Sequence, residues 1–120
     1  MRGASKRRPE QVAENVRQVL AETISRELRD PRVGLVTITR VDVSGDLSHA
    51  QVFVMLPGEE DEKLRALEGL RSAAGFLRTR VARTLATRVT PELHFELDKG
   101  LEHAARINAV LADLKREPLD

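Results

Sequence analysis

The middle of the chain reads Ser72-Ala73-Ala74-Gly75-Phe76-Leu77-Arg78, and the fold depends on whether this stretch is one helix or the junction of two. Around it, apolar residues recur every three or four positions from Leu64 to Leu85, as on one side of a helix. A glycine inside a helix costs about 1 kcal/mol relative to alanine. Gly75 falls opposite the apolar side of the helical wheel. The stretch therefore predicts a helix with an outward-facing glycine at which it can kink.

The residues before this stretch predict one helix and two strands. Pro9 is typical of a helix start, and apolar residues at helical spacing continue to Leu28, before Asp30-Pro31. The β-branched run Val33 to Val43 predicts a strand, and a change of phase around Thr39-Arg40 indicates a bulge. After a turn, Ala50 to Leu56 predicts a second strand, which is apolar on both faces and is therefore expected to be central.

The residues after it predict one more strand and a final helix. The acidic run Glu59 to Glu62 favours the start of the long helix, because negative charge suits a helix N-terminus. Thr90-Pro91 ends the helical segment, and Leu93 to Leu97 alternates as a third strand. The segment from Gly100 onward predicts a helix with one apolar side.

This order of elements is α+β: a three-stranded sheet with helices on one face and an extra C-terminal helix. If the long helix breaks in two, the topology is α-β-β-α-α-β, that of a type II KH domain, a fold that binds nucleic acid. The G-x-x-G loop of a conventional KH domain is absent from the sequence. We therefore expect recognition of folded RNA by shape and phosphate groups.

Composition bounds the kind of protein. With 120 residues, 41% hydrophobic and 32% charged, the chain has room for one domain, which we place at 9–115 between a basic arm (1–8) and a short tail (116–120). It has no Cys, which excludes disulfides and thiolate metal sites, and three Phe without Tyr or Trp, which argues against RNA binding by base stacking. No apolar run is long enough for a membrane span, so we expect a soluble cytoplasmic protein, with monomer as the default.

Positive charge is concentrated in two places, although the net charge is only +1. From Gly69 to Pro91 there are five arginines and not one acidic residue, and the first eight residues are also basic. Such asymmetry suits a polyanion, and an exposed glycine between arginines permits close approach of a phosphate. The predicted RNA-binding residues are Arg71, Ser72, Ala73, Gly75, Arg78, Arg80, Arg83 and Arg88, with Lys6, Arg7 and Arg8 of the arm.

The sequence carries no recognisable catalytic set. His49, His94 and His103 have neither a metal-ligand spacing nor a thiol partner, so we predict no metal site and no general base. Asp42 and Asp46 are typical turn carboxylates, and no serine lies in a nucleophile elbow. We expect a protein that is not an enzyme and has no cofactor.

Four motifs follow one another at characteristic spacings: Asp30-Pro31-Arg32; Val36 to Ser44 with Asp46-Leu47 and Ala50; Ala74-Gly75-Phe76-Leu77-Arg78; and Arg88 with Pro91-Glu92-Leu93-His94-Phe95. Together they resemble the ribosome-binding factor A family, from about Pro9 to Ile107. The resemblance implies a type II KH fold in which an Ala-x-Gly kink, here Ala73-Ala74-Gly75, replaces the G-x-x-G loop.

The resemblance also implies a function. The family binds the immature 30S subunit and its 16S rRNA, assists late maturation and 5′-end processing of that RNA, supports growth in the cold and leaves with the help of an assembly GTPase, without catalysis. The C-terminal tail is short here, which puts any contact made by a longer tail in doubt.

One alternative remains open on the residues alone. The chain could be a protein-interaction module that docks on a ribosomal protein or an assembly factor through the acidic corner Glu59 to Glu62. Binding would then survive removal of the arginines.

Overall fold

The computed structural model describes residues 8–85 and 89–116, and they form four helices and one three-stranded sheet. The elements in chain order are α1 (Pro9–Glu27), β1 (Thr37–Val43), β2 (His49–Met55), α2 (Glu60–Ser72), α3 (Ala74–Leu85), β3 (Glu92–Leu97) and α4 (Lys99–Arg116). This is the predicted α-β-β-α-α-β order followed by a further helix. The predicted α+β, type II KH-like fold class is confirmed.

The sheet has the order β1-β2-β3, so β2 is central as predicted. Strand β2 pairs antiparallel with β1 and parallel with β3. The register between β1 and β2 shifts between Ile38 and Arg40, which confirms the predicted bulge. Strand β1 begins only at Thr37, so the prediction that it starts at Val33 was wrong.

The residues before β1 form a turn that packs on α2. The Val33 amide donates to the Asp30 carbonyl (3.0 Å), which closes the turn. A Cβ at Gly69 would lie 2.7 Å from Cγ2 of Val33, so only a glycine lets this turn lie so close to α2. Val33 therefore packs against α2 and lies outside the strand.

One face of the sheet carries the core. Alternate residues of β2 and β3 point into it, and α1, α2 and α3 cover that face with their apolar sides. The fully or almost fully buried side chains include Val16, Leu20, Val52, Val54, Leu70, Leu77, Val81 and Phe95. Helices on a single face leave the other side of the sheet without a helical cover in the described chain, as the sequence predicts.

The hairpin between β1 and β2 is held by a carboxylate. Asp46 accepts hydrogen bonds from the Ser48 hydroxyl (2.6 Å), the Ser44 hydroxyl (2.8 Å) and the Ser48 amide (3.1 Å). These bonds, from Ser48 above all, lower the pKa of Asp46 to about 2. Leu47 has a positive φ of 65°, the left-handed conformation that this turn requires.

Helix α2 has a capping box, because Glu59 and Glu62 exchange side-chain-to-backbone hydrogen bonds across its first turn. The acidic run therefore starts a helix, as predicted. Helix α4 differs from the other three: four of its apolar residues, Ile107, Val110, Leu111 and Leu114, are 46–60% exposed. In the described part of the chain, no helix is both long enough and apolar enough to span a bilayer.

Candidate RNA-binding surface

The junction between α2 and α3 is a single residue, Ala73. Its backbone angles (φ −88°, ψ 1°) leave the helical range, and its amide is shared between the carbonyls of Gly69 and Leu70. The predicted break in the long helix is thereby confirmed, at the Ala-x-Gly position. Ala73 and Ala74 are half-buried, whereas Ser72 and Gly75 are exposed. A helix joint that presents bare backbone thus takes the place of a flexible glycine loop.

Gly75 is open on its outer side. A Cβ built on it would meet no heavy atom within 4 Å, and its φ is not in the left-handed range. The glycine is therefore required neither by packing nor by backbone conformation. What it provides is unobstructed access to the main chain near the start of α3, where the helix dipole favours negative charge.

Arg71 and Arg78 lie on the side of α2 and α3 that faces β3. The Arg71 Nε–H donates to the Phe95 carbonyl (3.1 Å), and Arg78 donates through Nε and Nη2 to the Thr90 carbonyl (3.3 and 2.8 Å). A guanidinium has five N–H donors, so these bonds orient each group while leaving donors for phosphate oxygens. Both residues are exposed.

Arg80 and Arg83 lie on the other side of α3, as the helical wheel predicts. Arg80 pairs with Glu27 of α1 (2.6 Å) and lies over the Phe76 ring, 5.2 Å from its centroid. Glu27 therefore offsets much of the Arg80 charge. Arg83 is exposed and makes no hydrogen bond or ion pair with the described residues. Of the two, Arg83 is the better placed to meet a phosphate.

Three of the predicted RNA-binding residues, Lys6, Arg7 and Arg88, lie outside the described residues. The arm is represented by Arg8, which is exposed and whose carbonyl accepts from the Val12 amide at the start of α1 (3.0 Å). We call the exposed surface formed by Arg71, Ser72, Gly75, Arg78 and Arg83 the arginine surface. It combines two guanidinium groups held by carbonyl oxygens, one exposed guanidinium and accessible backbone, an arrangement suited to phosphate contacts rather than to base reading.

The structure also joins two histidines that the sequence separates by 45 positions. His49 begins β2 and His94 lies in β3, and the parallel register brings His49 Nδ1 to 3.1 Å from His94 Nε2. Glu92 completes a group of three on the uncovered face of the sheet. The sequence alone does not indicate this group, because the three residues become neighbours only through the strand pairing.

The comparisons with known proteins identify the family. The family model described as ribosome-binding factor A matches residues 8–111, nearly the whole domain. The chain belongs to the ribosome-binding factor A family. A Thermomicrobium roseum ribosome-binding factor A is 49% identical over 110 residues, which cover 92% of this chain and 85% of that protein. The predicted family resemblance is confirmed.

Solved structures of ribosome-binding factor A share the fold. The crystal structure of the Thermus thermophilus protein is 32% identical and superposes with a TM-score of 0.64, covering 74% of this chain and 94% of that one. A model of the Thermus thermophilus factor fitted into a cryo-EM map of a 30S–RbfA complex is 34% identical, with a TM-score of 0.58 and coverage of 70% and 88%. These matches support the KH-like assignment over the helix–sheet body.

Proposed function

We propose that this ribosome-binding factor binds the immature 30S subunit through its arginine surface and assists late maturation and 5′-end processing of 16S rRNA. Two observations support the proposal. A relative of the same fold has been fitted into a map of a 30S complex, and the stretch from Gly69 to Pro91 contains arginines without a single acidic residue. The observation that carries it is the exposed, sterically open Gly75 beside Arg78.

The mechanism we propose is non-catalytic. Arg71, Arg78 and Arg83 contact phosphates, while the bare backbone at Gly75 lets the RNA approach closely. Lys6, Arg7, Arg8 and Arg88 extend the footprint. Bound in this way, the protein holds an RNA helix in one arrangement until the neighbouring RNA segments fold. It shifts the population of RNA conformations and neither forms nor breaks a covalent bond. We further propose that it acts in the cytoplasm as a monomer and leaves with the help of an assembly GTPase.

The test is binding to purified immature 30S subunits across a salt series. Three phosphate contacts, from Arg71, Arg78 and Arg83, should weaken binding about 40-fold between about 50 and 200 mM salt, because each contact releases bound counterions. Arg83→Glu should weaken binding and reduce the salt slope by about 1 or more. Arg83 is preferred to Arg78, since Arg78 also holds the Thr90 carbonyl and its reversal could disturb the fold.

The matched control is Arg65→Glu. Arg65 is an exposed arginine of α2 near Asp61 (3.7 Å), so its reversal changes the net charge equally but lies outside the arginine surface. Unchanged binding for Arg65→Glu and weakened binding for Arg83→Glu support the proposal. If both variants bind like the wild type and salt has little effect, the arginine surface is not the RNA contact. Docking through the acidic corner Glu59 to Glu62 then takes its place.

A further inference from the structure

We propose that His49, Glu92 and His94 form a zinc-binding site on the uncovered face of the sheet. The site is independent of the arginine surface, which lies on the opposite, helical side of the domain. Two imidazole nitrogens and one carboxylate are a common donor set for zinc, with a fourth position left for water or an incoming ligand.

The distances between the donor atoms fit a tetrahedral metal. His49 Nδ1 lies 3.1 Å from His94 Nε2 and 3.6 Å from Glu92 Oε1. Donors bound tetrahedrally at about 2.0–2.1 Å from zinc are about 3.3 Å apart. All three donor atoms lie within 4.8 Å of one another. A rotation of the exposed Glu92 side chain would shorten the distance between its carboxylate and His94 to the value that zinc requires.

The backbone beneath these side chains is tied together. The Ser44 hydroxyl accepts from the His49 amide (3.0 Å), and the Ser44 amide donates to the His49 carbonyl (2.9 Å). The Glu92 amide donates to the Ser48 carbonyl (2.8 Å), which fixes the start of β3 against the hairpin turn. Because the three ligands extend from paired strands, little conformational entropy is lost when a metal binds.

The surroundings accommodate a hydrated metal. An open cavity of about 420 Å³ adjoins the histidines, and the polar side chains of Asp42, Gln51 and Glu96 line it. Gln51 Nε2 donates to Glu96 Oε2 (3.1 Å), so Glu96 is oriented beside the site. These acceptors can bind the hydrogens of a zinc-bound water at the open position.

The two histidines hydrogen-bond to each other (3.1 Å). One ring nitrogen donates and the other accepts, so only the accepting nitrogen offers a lone pair in this arrangement. For zinc to bind, the donating ring changes to its other tautomer and carries its proton on the opposite nitrogen, so that both facing nitrogens offer lone pairs and Glu92 adds its carboxylate. The contact is therefore either a plain hydrogen bond or a preformed metal site, and titration distinguishes the two.

The experiment is calorimetric titration of the full chain, stripped with a chelator, with zinc chloride at neutral pH. The wild type should bind one zinc ion per chain. Loss of an outer-shell partner typically weakens metal sites about 10- to 100-fold, so removing a ligand by His49→Ala or His94→Ala should cost about 100-fold or more. Glu92→Gln should cost less, because the amide oxygen keeps its place but loses its charge.

The matched control is His103→Ala, which removes the third imidazole of the chain. It should leave zinc binding unchanged, and circular dichroism verifies that every variant remains folded. Imidazole ¹⁵N NMR then reports the atoms: zinc should shift Nδ1 of His49 and Nε2 of His94. The proposal is overturned if the wild type shows no stoichiometric binding, if the single His49 and His94 variants bind like the wild type, or if the ¹⁵N shifts fall on other nitrogens.

Discussion

The substitution Gly75→Ala should stabilise the protein and weaken its binding to the immature subunit. In the folded protein the new methyl meets no atom within 4 Å, and the backbone there suits any residue. Removing a glycine from a helix restricts the unfolded chain, which stabilises by about 0.5–1 kcal/mol. For a domain of this size that raises Tm by about 2–4 °C.

The effect on binding has the opposite sign. If a phosphate packs on the main chain of Gly75, the methyl of the alanine would occupy the space between them. Inserting a methyl into a packed contact costs about 1–3 kcal/mol, which corresponds to about 5- to 150-fold weaker binding. The variant should therefore be more stable than the wild type but bind the subunit more weakly, a combination that misfolding cannot produce.

Thermal unfolding and binding to purified immature 30S subunits measure the two effects on one preparation. Ser25→Ala, on the exposed side of α1, controls for stabilisation alone, because it also favours a helix but lies outside the arginine surface. It should raise Tm without loss of affinity. If Gly75→Ala binds as tightly as the wild type, close approach to this backbone plays no part in recognition and the reasoning from the open glycine is refuted.

Three further outcomes are expected. Arg80→Gln should weaken subunit binding less than the loss of Arg83 does, since Glu27 already offsets the Arg80 charge; an equal or larger loss in the same binding assay would contradict this. Gly69→Ala should destabilise the fold by about 1–3 kcal/mol in urea unfolding, because its Cβ would lie 2.7 Å from Val33 Cγ2. An unchanged urea midpoint would show that the turn containing Val33 moves away to accommodate the methyl. Asp46→Asn should lower stability at neutral pH. The difference in stability from the wild type should vanish as pH falls from about 4 to about 2, because the folded carboxylate has a pKa of about 2 and its contribution is lost on protonation. A difference in stability that does not depend on pH would exclude the carboxylate charge as the cause.

Much of the fold follows from local pattern. The apolar spacing of α1 and of the α2–α3 pair, the phase change at Thr39-Arg40 and the two apolar faces of β2 each predict what the structure contains. These features are readable because side-chain periodicity is set by the geometry of a single helix or strand. The start of β1 was missed, because Val33 and Val36 have strand propensity, whereas Val33 lies against Gly69 of α2 and both pack on the core ahead of the strand.

The sequence predicts the arginines of the arginine surface as a set of equivalent residues, and only the structure shows that their contact partners differ. The sequence treats Arg78, Arg80 and Arg83 alike, whereas the structure gives the first a carbonyl partner, the second a carboxylate and the third no partner among the described residues. Those partners come from Thr90 and Glu27, on other segments of the chain. No spacing rule within one helix could predict them.

By itself, the sequence determined the order of the elements, a break in the long helix within Ala73-Ala74-Gly75 and the concentration of positive charge between Gly69 and Pro91. Only the tertiary structure decided that His49 and His94 meet. Their contact depends on the parallel register of β2 and β3, which is set by how the buried faces of both strands pack beneath the helices. Local patterns arise from bonds within a few residues, whereas a site between distant strands arises from packing that involves the whole core.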